Sequence, residues 1–89
     1  MISIETAKKI INSLPGESVI VNCYSPETLV QFSDGFTTAD FIDSLEYIEE
    51  ANLERDLAFE SSDLDSRIKE SNRYMKRFKK ALATLKKDI

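Results

Sequence analysis

The sequence contains no histidine and no tryptophan, a single cysteine, two glycines and two prolines. Each scarcity removes a class of chemistry. Without histidine the chain lacks the commonest general base and the commonest transition-metal ligand. Cys23 alone can form neither an internal disulfide nor a cysteine-based zinc site, and a thiol with no histidine partner is a poor nucleophile. Gly16 and Gly35 stand far apart, so there is no glycine-rich phosphate turn. Asp63-Leu64-Asp65 lacks the spacing and the glycine of a calcium loop, and Ser61 and Ser62 have no basic partner to activate them. No apolar run approaches the roughly 20 residues that span a bilayer, and Met1-Ile2-Ser3-Ile4-Glu5 lacks the basic-then-apolar pattern of a signal peptide. A chain without cofactor, metal or catalytic group is expected, acting in a cytoplasm, its own or a host's.

What is present is periodicity. From Leu64 the apolar positions run Leu64, Ile68, Ser71, Met75, Phe78, Leu82, Leu85 and Ile89, alternating four and three, a heptad seam with one polar member. A second seam reads Phe41, Leu45, Ile48, Asn52, Arg55 and Phe59. Its continuation would fall on Ser62 instead of Leu64. A slip of two residues turns the apolar face by roughly 200°, so one straight helix cannot present both seams to one surface. The chain is therefore expected to turn back between Ser61 and Ser62, with Ser62 and Asp65 capping the second helix. The seams then pair Asn52 with Ser71, Ile48 with Met75, Leu45 with Phe78 and Phe41 with Leu82, with Arg55 beside Ile68 and Phe59 beside Leu64.

Charge supports the same arrangement. Residues 34–65 hold eleven acids and one base, whereas residues 66–89 hold nine bases and two acids. Antiparallel pairing sets one against the other, although exposed ion pairs are worth only about 0–1 kcal/mol each. A continuous helix in an antiparallel dimer would satisfy the charges equally, and the seam slip ranks it second.

Toward the N-terminus, Ile4, Ala7, Ile10, Ile11 and Leu14 mark one face of a short helix closed by Pro15-Gly16. Ser18 to Tyr24 and Thr28 to Phe32 are β-branched and aromatic runs separated by Ser25-Pro26-Glu27, which predicts a β-hairpin with Cys23 packed in the sheet. Such a lone ribbon would need cover or a partner's strand. Thr37 and Asp40 form a capping signature for the first long helix, with Phe36 as the preceding apolar contact. The expected fold is a single α+β domain in the order α-β-β-α-α. Residues 1–36 form the helix and hairpin, and residues 37–89 form a coiled-coil-like helical hairpin. At 89 residues a single core is marginal, so a homo-oligomer is expected.

Two surfaces carry candidate binding residues. Asp40, Asp43, Glu46, Glu50 and Glu54 fall within about a third of the circumference of the first long helix, an acidic face able to dock on a basic protein surface or simply to be solvated. On the basic helix, Arg73, Arg77 and Lys80 point away from the seam as candidates for anion or nucleic-acid contact, against a net charge of −4 for the whole chain. A nucleotide-like anion held among aromatics and arginine at a subunit interface is a further alternative. The leading expectation is a non-catalytic interaction protein that binds, and inhibits or regulates, a macromolecular partner. Compact acidic chains of this kind occur among phage-encoded inhibitors of host machinery, an association that does not depend on fold.

Overall fold

The computed structural model describes residues 1–59 and 64–88, with side chains for 1–55 and 65–88. Its elements are α1 (Ile4–Ser13), α2 (Val19–Cys23), α3 (Pro26–Phe32), α4 (Thr38–Phe59) and α5 (Leu64–Asp88). The described residues contain no strand. The fold is an all-helical globule, and the predicted α+β class with its β-hairpin is overturned.

The reason lies in the caps. Ser18 precedes α2, and its Oγ accepts hydrogen bonds from the backbone N–H groups of Ile20 (3.1 Å) and Val21 (3.4 Å). Glu49 of α4 takes the N–H of Val19 at 3.0 Å and shares that of Ile20 at 3.4 Å. The N–H groups that a helix start leaves unpaired are thereby satisfied by side chains, and this outweighs the few tenths of a kcal/mol per residue by which Val and Ile disfavour helix. Ser25-Pro26-Glu27, read as a turn, opens α3. Ser25 caps it through the N–H of Thr28 at 3.2 Å, Pro26 occupies the first helical position, and Glu27 lies in the first turn. Cys23 is exposed, not packed in a sheet. The edge-strand argument for self-association lapses with the strands.

α1 forms as its spacing predicts, capped by Ser3 through the N–H of Thr6 at 3.1 Å and burying Ala7 and Ile10. Ser33, at the end of α3, ties the N-terminus down by accepting the N–H of Ile2 at 2.8 Å while donating to the carbonyl of Val30 at 2.7 Å. Gly35 then turns the chain at a φ of 86°, in the left-handed region that other residues avoid. Thr37 Oγ1 accepts the N–H of Asp40 at 3.1 Å, and the rings of Phe36 and Phe41 lie 6.2 Å apart. A cap and an apolar clamp across it fix the angle at which α4 leaves the turn.

α4 and α5 run antiparallel, since Asp43 meets Lys86, Glu46 meets Lys79 and Glu49 meets Tyr74. α4 also packs on α2, and α1 packs on α2, α3 and α5. Phe41, Leu45, Met75, Phe78, Leu82 and Leu85 are buried in one core with Ile10, Ile20 and Leu29. Because α4 is covered by both α5 and α2, its buried arc is wider than a two-helix seam. Ile42 and Glu49 are wholly buried, although neither belongs to the predicted stripe. Asn52, the polar member of the first seam, is half-buried and donates to the carbonyl of Ile48 one turn back at 2.8 Å. Arg55 and Ile68 are exposed. The predicted pivot at Ser61 and Ser62, the Ser62–Asp65 cap and the Phe59–Leu64 layer lie outside the described residues.

Candidate functional site

The most chemically dense place in the molecule is the carboxyl group of Glu49, which has no exposed surface. Oε1 accepts from Val19 N–H at 3.0 Å and from the Tyr74 hydroxyl at 2.7 Å. Oε2 accepts from the Ser18 hydroxyl at 2.9 Å and from Ile20 N–H at 3.4 Å. Three helices meet on one side chain. No buried side-chain polar atom among the described residues lacks a partner. A carboxyl group sealed from solvent with four donors has no lone pair to offer a substrate, so the cluster's chemistry is that of a clamp. Tyr74 follows the same logic. Burial first, then its hydrogen bond to Glu49 and the charge there, push its phenol well above the ordinary value of 10, which keeps it a donor and removes it as a nucleophile.

Beside this clamp opens a cleft of about 340 Å³, lined by Glu17, Leu53, Arg67, Glu70, Ser71, Tyr74 and Arg77. Arg77 lies over the Tyr74 ring at 5.7 Å and pairs with Glu17 at 3.4 Å. The size suits a small molecule. Its two acids and two arginines cancel, however, so the cleft offers an anion no net attraction. Of Tyr24, Phe32, Phe36, Tyr47 and Tyr74, the aromatics considered for a nucleotide pocket at a subunit interface, only Tyr74 lines this cleft: Tyr24 and Phe32 pack on each other at 5.5 Å, Phe36 lies against Phe41, and Tyr47 is exposed on α4.

The five acids of the predicted face divide into two sets. Asp43 and Glu46 hold α5 through Lys86 at 2.7 Å and Lys79 at 3.1 Å. Asp40, Glu50 and Glu54 are exposed and make no ion pair among the described residues. Tyr47, which sequence reasoning did not include, stands among them with 71% of its surface exposed. Asp40, Asp43, Tyr47, Glu50 and Glu54 repeat at three, four, three and four, so they form one stripe along α4, with Asp43 at the edge that meets Lys86 of α5 and the other four facing outward. That spacing was legible in the sequence.

The predicted cations also separate. Arg77 is engaged with Glu17 and Tyr74, whereas Arg73 and Lys80 are exposed and make no ion pair among the described residues. No group of three or more acidic or cysteine side chains among the described residues is placed to hold a metal ion, and no described helix is long and apolar enough to cross a membrane. Comparison with known proteins finds no matching family model, no similar curated protein and no similar solved structure.

Proposed function

We propose that this chain is a non-catalytic interaction protein that docks the outward stripe of α4 on a basic surface of a protein partner. The observation that carries the reading is Tyr47. A tyrosine with 71% of its surface in water is left largely uncovered by the fold, and it sits at the centre of a stripe of carboxylates on a helix whose opposite side is buried. Protein interfaces use this combination, an aromatic anchor that loses its water on binding inside a rim of charges that steers and orients the encounter. Occupying a basic surface in this way would compete with any anionic ligand of that surface, which is how binding would inhibit or regulate the partner.

The structure-guided test leaves Asp43 and Glu46 alone, because reversing them would disturb the pairing of α4 with α5. The chain, Tyr47→Ala and the triple variant Asp40→Lys/Glu50→Lys/Glu54→Lys are compared as baits for proteins from lysate. An anchor of this kind contributes about 2 kcal/mol or more, so Tyr47→Ala should weaken capture of the specific partner by about 30-fold. Unchanged capture by both variants would refute the reading.

A further inference from the structure

The solvent side of α5 carries a second pattern. Lys69, Arg73, Lys76, Lys80, Ala83 and Lys87 repeat at four, three, four, three and four, so they lie in one line opposite the seam buried by Met75, Phe78, Leu82 and Leu85. All six are exposed. The five cations make no ion pair among the described residues, in contrast to Arg77, Lys79 and Lys86 on the flanks, which are paired with Glu17, Glu46 and Asp43. At 1.5 Å per residue the line from Lys69 to Lys87 is a ridge of about 27 Å. The fold has consumed the flanking cations and left this row uncompensated.

We infer that this ridge is a binding surface for the phosphodiester backbone of a nucleic-acid duplex, separate from the stripe on α4. The choice of occupant follows from what the ridge lacks. A protein partner would need an aromatic or aliphatic anchor, and lysine is depleted at protein interfaces, yet the largest apolar side chain in the line is Ala83. An anionic membrane surface would likewise favour a residue able to insert among lipids. Single-stranded nucleic acid is bound by stacking its bases on aromatic rings, and the two aromatics described on α5, Tyr74 and Phe78, are both buried on its opposite side, Tyr74 with its hydroxyl tied to Glu49. A duplex backbone requires only a row of cations that releases counterions as they meet phosphates. A row of cations that meets phosphates fixes position and carries no sequence information, so binding without sequence preference is expected.

The test is binding of the intact chain to fluorescently labelled DNA and RNA duplexes of arbitrary sequence, followed by anisotropy as salt is raised. Five phosphate contacts give a slope of log affinity against log salt approaching about −4.5, equivalent to about a 500-fold loss between 50 and 200 mM. Arg73→Gln/Lys76→Gln/Lys80→Gln replaces three cations with a good helix former and should flatten the slope to about −1.8, whereas Lys79→Gln, whose amine is already paired, should leave it unchanged. The single substitutions at Arg73, Lys76 and Lys80 each lower the slope by about 0.9 and serve if the triple variant fails to fold. Absence of duplex binding at low salt, a slope unaltered by the ridge substitutions, or equal affinity for polyglutamate would overturn the inference. Salt-sensitive self-association without duplex binding would also overturn it, by assigning the ridge to the acidic stripe of a second copy.

Discussion

Glu49 shows how much one side chain can decide. Removing its carboxyl group leaves the Val19 N–H and the Ser18 and Tyr74 hydroxyls without their acceptor, whereas the Ile20 N–H keeps Ser18 Oγ at 3.1 Å; each such loss costs about 1–3 kcal/mol before water or neighbouring groups relax toward it. Glu49→Ala should therefore destabilise the fold by about 3–5 kcal/mol in urea titration, a large share of the roughly 5–13 kcal/mol that holds a domain of this size. A loss under about 1 kcal/mol would mean that the clamp is dispensable. Tyr74 makes the fold sensitive to alkali. Its phenol ionises near 10 in the unfolded chain and higher in the folded one, so its contribution is complete below pH 10 and is lost as pH rises through the folded value. Stability should fall above pH 10, and the fall should be shallower in Tyr74→Phe. None of this was visible in the sequence, where Glu49 is one acid among Glu46 and Glu50 and its donors lie 29 to 31 residues before it and 25 residues after it.

Among the elements, the long helices were legible because their apolar positions repeat at helical spacing and their caps are local. Phe36, Thr37 and Asp40 announce α4 within five residues, and Met75, Phe78, Leu82 and Leu85 announce the buried side of α5. α2 and α3 fall where a hairpin is expected because β-branched runs resemble strands when the partner that caps them is distant. Val19, Ile20 and Val21 are helical in large part because Glu49 reaches back to them, a tertiary override of local preference. Ser25-Pro26-Glu27 carries both signals, since serine followed by proline and an acid is a helix start as readily as a turn, and here it is the helix start. Ser25→Ala should cost about 1 kcal/mol and lower helical circular dichroism modestly. If it costs nothing, the cap is not what holds α3.

Across the whole molecule the segregated charges serve two purposes. On the flanks where α4 and α5 meet, Asp43 and Glu46 neutralise Lys86 and Lys79, so part of the sequence's opposition of acids and bases is spent within the fold. On the outward sides the remainder is left exposed, acids around Tyr47 on α4 and cations along the ridge of α5. The sequence showed that the two helices differ in sign. It could not show which charges would be consumed, because that depends on the rotation of each helix about its axis, set by burial of Ile42, Glu49 and Tyr74 as well as by the heptad seams. The result is two dissimilar helix faces, one with an exposed tyrosine and one without.

The most direct test of the central claim, that the α4 stripe is the docking face, is to quantify the specific protein retained by the chain and by Asp40→Lys/Glu50→Lys/Glu54→Lys at low and high salt. The account predicts a partner held strongly at low salt, weakened at high salt and lost with the reversed charges, while circular dichroism of the variant is unchanged. Retention of the same partner at the same level by the reversed variant would contradict it.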